Sequence, residues 1–396
     1  MTGNSSGRTT GTLSVWERIS LVGLIPWFTA RWLFGFVFHG NPELHWRQRL
    51  AVSLLRAQRA TFAPSQLRWL SRRTSTRDAI VGYSKEHGLA HRIITLKTVA
   101  TTDVVELDIP PPSLHFLAHF SPTERDGDSG LTLLYFHGGG FVNPLRKAAH
   151  MPFIHRCATA GDATRVVIVE YGLAPEHPYP AQMVQCIAAL RYLVDEMDLD
   201  PGKIVLGGDS AGGQLVGAVL VHLARPSPYA PPLTLRGKLK AALLVSPWAV
   251  LPSSCDGSYR TNARLDYLNQ TIVDQFQASW KGNENEIWAN LYGVEEARAV
   301  WRKIVPNEDQ GIVGKILVTA GTAEVFLDGC RAVAKDGMGA ETVVIHRDID
   351  CDAPRGKTLV LAECQGEVHV QSAVDCAVAF DGGLTMRAIT SWLATI

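Results

Sequence analysis

From Leu131 onward the chain alternates short, continuous apolar runs with longer segments of helical spacing. The runs are Leu131–Phe136, Arg165–Glu170, Ile204–Gly207, Ala241–Val245, Ile316–Ala320 and Thr342–His346. Between them, segments ending near Ala160 and spanning Ala181–Glu196, Gln214–Leu223 and Leu327–Lys335 repeat apolar positions with the period of a helix. Val, Ile and Leu in unbroken runs belong to strands buried on both faces. The pattern therefore predicts a mostly parallel sheet with helices on either side. Upstream, Val104–Ile109 and Leu114–Phe120 flank the turn Pro110-Pro111-Pro112 and are expected to pair antiparallel at a sheet edge. Together these give about eight strands.

Two regions break the rhythm. Residues 251–308 are rich in Tyr, Trp and Asn and read as helices, Thr271–Trp280 and Glu286–Trp301. They form an insertion that would act as a lid over a pocket. At the N-terminus, residues 1–12 are small and polar, with the composition of a disordered tail. Leu21–Phe38 follows, 18 residues interrupted only by Arg31 and Pro26. It is just long enough to span a bilayer, but a central arginine costs about 2.5–3.5 kcal/mol on insertion scales. Its aromatic residues suit a membrane anchor, an interfacial helix or a cap over an apolar pocket. Residues 44–75 are predicted as one or two helices. The layout is then a tail (1–12), an apolar segment with a helical cap (13–99) and an α/β domain (100–396) carrying residues 251–308 as a cap insertion.

Charge narrows the partners. Lys plus Arg and Asp plus Glu number 38 each, and no long basic block occurs, so a nucleic acid partner is not expected. Seven scattered cysteines include no C-x-x-C pair and no zinc spacing, which points to free thiols in a reducing compartment and to no metal. The expected partner is a neutral small molecule.

The chemistry centres on Gly208-Asp209-Ser210-Ala211-Gly212, set between the Ile204 strand and a helical segment. Strand, sharp turn, helix is the context of a nucleophile elbow, which exposes a serine hydroxyl at the top of a sheet. Its partners on this architecture are an acid and then a histidine, each after a later strand. Glu324, four residues beyond Ala320, is favoured over Asp328, whose place at a helix start already accounts for a carboxylate. His369 lies on the loop where a base belongs, whereas His346 falls within a strand. His137-Gly138-Gly139-Gly140 directly follows a strand. Gly138 and Gly139 N–H, with Ala211 N–H, are predicted to form the oxyanion hole. Glu176-His177 precedes the nucleophile in a Pro-rich turn and reads as structural. Asp209 is expected to support the turn through hydrogen bonds. No metal or organic cofactor is implied.

Together these residues resemble the hormone-sensitive-lipase-like branch of the α/β-hydrolases. The resemblance rests on His137-Gly-Gly-Gly-Phe141, Tyr171-Gly-Leu-Ala-Pro-Glu-His-Pro-Tyr-Pro-Ala181, Gly207-Gly-Asp-Ser-Ala-Gly-Gly213, Ser246-Pro-Trp248 and Gly321-Thr-Ala-Glu324 with Asp328. It spans residues 100–396 and implies an α/β-hydrolase fold with Ser210 as nucleophile, Glu324 as acid and His369 as base. Three positions depart from the family pattern: Glu324 stands where Asp is usual, Gly172 where Arg is frequent, and the loop before His369 is long. The family implies hydrolysis of short to medium acyl esters. The apolar N-terminus is similar to that of membrane-associated relatives acting on lipophilic acetates, such as steryl acetates or acetylated secondary metabolites. The expectation is a membrane-associated, intracellular esterase, at the endoplasmic reticulum if the cell is eukaryotic, with a cytoplasmic enzyme as the alternative. Two other readings stay open, an acyl transferase or cyclase, and a non-catalytic receptor on the same scaffold.

Overall fold

A computed structural model describes residues 13–396 apart from 39, 98–107, 119–129, 253–255 and 307–310. The expected tail, most of the Val104–Ile109 run and Cys255 lie outside the described residues. Five helices come first: α1 (Val15–Gly23), α2 (Ile25–Phe38), α3 (Trp46–Thr61), α4 (Pro64–Ser71) and α5 (Thr76–Glu86). Ser14 and Glu17 cap α1 reciprocally, the serine N–H reaching the carboxylate at 2.8 Å. Pro26 sits in the first turn of α2, where its missing N–H breaks no helical bond. The proline thus marks a helix start, and α1 and α2 meet at a 43° bend. Among the described residues no single helix is long and apolar enough to cross a membrane, although this bent pair is so together. The Ser75 cap of α5, closed by Asp78, is a start signal that the apolar pattern did not highlight.

The remainder runs β1 (Ala90–Thr95), β2 (Ser113–Ala118), β3 (Leu131–Phe136), α6 (Lys147–Ala160), β4 (Ala163–Glu170), α7 (Ala181–Arg191), β5 (Ile204–Asp209) and α8 (Ala211–Ala224). It continues through β6 (Ala241–Val245), α9 (Gly257–Thr261), α10 (Gln270–Trp280), α11 (Ala297–Ile304), β7 (Ile316–Gly321) and α12 (Leu327–Arg331). Last come β8 (Glu341–Ile345), β9 (Leu359–Cys364), α13 (Gln371–Ala377) and α14 (Leu384–Leu393). Nine strands form one sheet in the order β1-β2-β4-β3-β5-β6-β7-β9-β8. Only β2 runs against its neighbours β1 and β4. Helices α7, α8 and α11 cover one face, and α6 and α14 the other, as the unbroken apolar runs require. This is the α/β-hydrolase fold, with one strand more than the pattern predicted.

Three expectations change. The antiparallel partner of β2 is β1, not a strand at Val104–Ile109, so the sheet begins before residue 100. The long connection before His369 contains β9, which inserts between β7 and β8 and leaves β8 at the exposed edge. The expected helix Glu286–Trp301 is instead a series of turns followed by α11. Nor is the insertion a detached lid, because Trp280, Ile287, Leu291 and Trp301 are buried in the same core cluster as α8. At roughly 1.5–3 kcal/mol for each fully buried large apolar side chain, it is integral to stability.

The N-terminal helices are tied in by polar contacts. Gln48 of α3 donates to both oxygens of Asp375 at 3.0 and 3.1 Å, and Gln371 donates to one at 2.7 Å. Burial, reinforced by nearby Glu367, pushes the Asp375 carboxyl well above the usual carboxylate range. The folded protein therefore keeps this proton where the unfolded chain has released it, and stability falls as pH rises above about 4. The thermal midpoint should drop between about pH 5.5 and pH 8, and Asp375→Asn should shrink that drop. An unchanged pH dependence in the variant would refute the assignment.

Candidate active site

Ser210 follows the last residue of β5 with φ 55° and ψ −117°, a conformation that costs a non-glycine residue on the order of 1–3 kcal/mol. Neighbouring backbone holds it there: Ser210 N–H donates to Val245 carbonyl at 2.8 Å, and Trp248 N–H donates to the Ser210 carbonyl at 3.1 Å. The flanking glycines are required by close approach. A Cβ on Gly212 would overlap the Phe136 carbonyl, and one on Gly208 the Gly212 carbonyl. The hydroxyl is aimed by this turn at His369, whose Nε2 lies 2.8 Å away.

His369 reaches the serine from the loop between β9 and α13, and the next residue, Val370, is itself left-handed at φ 46°. Glu324 follows β7, is fully buried, and places Oε2 3.6 Å from His369 Nδ1. That nitrogen has no hydrogen-bond partner among the described residues, so ring and carboxylate stand at ion-pair distance. Such contacts commonly shorten when a substrate is bound. Two residues to which the sequence reading assigned no role position the acid. The Ser246 hydroxyl donates to Glu324 Oε2 at 2.6 Å and accepts from Val370 N–H at 3.2 Å. The Cys330 thiol faces Oε1 at 3.5 Å. Asp328 is elsewhere: its carboxylate accepts from Ser258 N–H at 2.7 Å and faces Arg331.

The insertion also clamps the acid loop. Asn262 donates to the Thr322 and Glu324 carbonyls at 3.0 and 2.8 Å, and Asp266 accepts from Val325 N–H at 2.8 Å. Burial pushes the Asp266 carboxyl up to about 6, with Glu324 adding to the effect and His369 opposing it. No sequence motif announces Asp266, because its role exists only through packing. On the other side, Leu44 and Val52 of the N-terminal segment pack on Ala323 and Val368, one from the acid loop and one from the base loop.

The oxyanion assignment changes at Gly138. Its N–H already donates to Asp209 Oδ1 at 3.0 Å, so it is not free to meet a substrate. Gly139 and Gly140 line the cavity, and neither N–H has a hydrogen-bond partner among the described residues. Ala211 N–H lies at the start of α8, among the amides a helix leaves unpaired. Gly139, Gly140 and Ala211 are therefore the available donors. Asp209 also accepts from Tyr135 OH at 2.6 Å and faces His150 at 3.3 Å. Burial would raise its carboxyl, but His150 and these hydrogen bonds hold it below the usual range. Glu176 is structural as expected, gripping Arg72, the residue that caps the end of α4, at 2.7 and 2.9 Å. At Gly172, a side chain would press on the His177 ring.

Above the serine lies a cavity of about 1670 Å³, walled by α2, α3, α4, the Gly139 loop and α10. A small-molecule pocket typically measures about 300–1,000 Å³. Its lining includes Trp27, Trp32, Phe62, Phe276 and Phe326. Among the described residues no group of His, Cys, Asp or Glu has the arrangement of a metal site. The six described cysteines are free thiols.

A strained serine in hydrogen-bond contact with a histidine, and a buried carboxylate behind that ring, define a hydrolase-type centre on this fold. A family model described as the alpha/beta hydrolase fold matches residues 133–349, more than half of the chain, and the chain belongs to that family, in its hormone-sensitive-lipase-like branch. It is 31% identical over 181 residues to human arylacetamide deacetylase-like 2, covering 44% of this chain and 42% of that one. It is 34% identical over 251 residues to an acetyl-hydrolase of Streptomyces hygroscopicus, covering 61% and 74%. Most such matches span about half the length of the curated relatives. Among solved structures, an esterase from the bacterial hormone-sensitive lipase family superposes with a TM-score of 0.59 at 23% identity, covering 89% of this chain and 98% of the other.

Tyr135→Phe removes one donor from buried Asp209 and loosens the strand end that presents the glycine loop. It should destabilise the fold by about 1–3 kcal/mol, read as a lower urea midpoint. An unchanged midpoint would show that the hydroxyl is dispensable.

Proposed function

We propose that this protein is a serine carboxylester hydrolase that removes short acyl groups, acetyl foremost, from a lipophilic alcohol at a membrane surface. The observation that carries the reading is the 2.8 Å contact between His369 Nε2 and the hydroxyl of a serine held at φ 55°. His369 takes the Ser210 proton as Oγ attacks the ester carbonyl, and Glu324 orients the ring. The N–H groups of Gly139, Gly140 and Ala211 stabilise the oxyanion. Collapse of the tetrahedral intermediate releases the alcohol, protonated by His369, and leaves an acyl-serine. Water, deprotonated by the same ring, then releases the acid and restores Ser210.

The short acyl preference is supported by two rings beside the nucleophile. Phe326 stands 4.8 Å from the His369 ring and stacks at 6.0 Å on Trp248, whose N–H binds the Ser210 carbonyl. Both rings line the cavity directly beside Ser210 and narrow it there. The relatives' names, a deacetylase and an acetyl-hydrolase, point the same way. The membrane reading rests on α1 and α2, which bury no residue and expose Trp16 by 79% and Phe38 by 69%. Apolar patches of this kind mark interaction surfaces, and α2 also lines the cavity, so a lipophilic substrate can pass from the surface to the site. The described free thiols fit an intracellular setting.

Ser210→Ala should abolish hydrolysis of 4-nitrophenyl acetate and labelling by a fluorophosphonate while leaving the fold intact; unchanged turnover would sink the reading. Glu324→Gln should cut kcat far more than Asp328→Asn, by about 10²–10⁴-fold on the precedent of acid loss in such triads; the reverse ranking would move the acid. Replacing both Trp16 and Phe38 by Glu should abolish flotation with phospholipid vesicles without lowering 4-nitrophenyl acetate turnover. Persistent flotation would place the membrane contact elsewhere.

A further inference from the structure

The Gly139 and Gly140 N–H groups have no partner among the described residues, so no bond of their own aims them. Their direction is inherited from the backbone of the loop between β3 and α6. Both glycines have positive φ, 123° and 62°. The turn they open is tight, with the Gly139 carbonyl accepting from Val142 N–H at 3.2 Å and Asn143 N–H at 3.0 Å. A loop built on residues with so much backbone freedom keeps one shape only where its ends are fixed.

Both ends are fixed to one carboxylate. At the start, Gly138 N–H donates to Asp209 Oδ1 at 3.0 Å. At the end, Arg146 N–H donates to His150 Nδ1 at 2.8 Å, and His150 Nε2 stands 3.3 Å from Asp209 Oδ2. A ring nitrogen that accepts from a backbone N–H carries no proton, so the imidazole proton sits on Nε2 and points to the carboxylate. His150 thus relays Asp209 to the far end of the loop. It is buried in the first turn of α6, and its own N–H returns to the Arg146 carbonyl at 2.8 Å.

Other bonds hold the same loop. Ala174 N–H donates to the Phe141 carbonyl at 2.8 Å, and Leu145 N–H to the Thr76 hydroxyl at 3.2 Å. Those lead to the loop after β4 and to α5, whereas the His150 bond leads to the residue immediately before Ser210. Asp209, Ser210 and Ala211 are the anchor, the nucleophile and the third oxyanion donor in succession. Through His150 the two glycine amides are therefore placed relative to the atom that attacks. His150 also lines the cavity, but both of its ring nitrogens are engaged, so it is not placed to take a proton from substrate or water.

We propose that His150 is a positioning residue for the oxyanion hole: by joining Arg146 N–H to Asp209 it holds the Gly139 and Gly140 amides where the tetrahedral oxyanion forms. The inference rests on the esterase reading above and adds to it a residue that touches no reacting atom.

Two variants cut the relay at different bonds. His150→Asn keeps an acceptor near Arg146 N–H but is too short to reach Asp209, and His150→Gln keeps a donor towards Asp209 but no acceptor beside Arg146. Hydrolysis of 4-nitrophenyl acetate gives kcat and KM, and inhibition by an alkyl trifluoromethyl ketone reports the hole directly. With the ketone, Ser210 Oγ bonds to the carbonyl carbon, the π pair moves onto oxygen and the serine proton passes to His369. The oxyanion so formed rests against the three amides. Each variant should lower kcat about 10–100-fold with KM within about twofold, because a misplacement of about 1 Å costs on the order of 10²-fold. The ketone inhibition constant should rise by the same factor. Circular dichroism establishes that each variant is folded at the assay temperature.

A folded variant with unchanged kcat overturns the inference. So does a rise in KM alone, which would make His150 a wall of the substrate cavity, and so does a fall in kcat without loss of ketone affinity, which would assign the ring to proton transfer. Should one variant fail to fold, the other carries the test. If neither folds, the role is structural and the inference falls. In each of these cases wild-type turnover of 4-nitrophenyl acetate leaves the esterase reading standing. If the wild type cleaves no ester and Ser210 takes no fluorophosphonate, that reading fails, and the positioning role with it.

Discussion

The Ser246 hydroxyl is the point at which three loops meet. It donates to Glu324 and accepts from Val370 N–H, so the loop after β6 fixes both the acid and the residue next to the base. Ser246 is itself left-handed, at φ 46°, as are Ser210 and Val370. Three non-glycine residues in this conformation around one hydroxyl represent stored strain, of order 1–3 kcal/mol each. Such strain persists only where surrounding structure dictates the backbone, and the bonds from Ser210 to Val245, Ser246 to Thr319 and Trp248 to Ser210 do so. Adjacent parallel strands thus determine one another's end geometry. The nucleophile is aimed because β6 and β7 are in register beside it.

The chain outside the sheet completes this arrangement. Asn262 and Asp266 of the insertion hold the acid loop by its backbone, and Leu44 and Val52 press on both catalytic loops from the N-terminal side. Asn41 adds a bond to the Gly366 carbonyl at 2.7 Å. The segments that form the substrate cavity are therefore also those that fix Glu324 and His369. Displacing the roof would alter the site as well as open it, which separates this construction from a hinged lid that only gates access.

Much of this was legible in the chain. β6 and β3 coincide with their apolar runs, because a central strand with two buried faces leaves no polar residue to blur its ends. The elbow and Glu324 were readable because each follows a strand that the pattern marks, and His369 because it lies between a glycine and a helical segment after the last marked run. β1 was not readable for the converse reason. As an edge strand it carries His91, Arg92 and Thr95, and its pairing depends on contacts such as Arg92 over the Phe116 ring at 5.2 Å. β9 was hidden by having a short apolar neighbour in β8. Composition does not say which of two such runs lies inside the sheet. Gly138 illustrates a finer limit, since three consecutive glycines look alike and only the position of the Asp209 carboxylate decides which amide is consumed.

The Asp209 carboxylate likewise serves position more than charge. A buried acid beside the nucleophile could have served as a counterion, but its oxygens are occupied by Tyr135, Gly138 and His150. Asp266 is likewise turned towards backbone N–H groups and the acid loop. Each carboxylate near the site thus serves geometry: Asp209 fixes the first amide of the glycine loop, and Asp266 fixes the loop that carries Glu324.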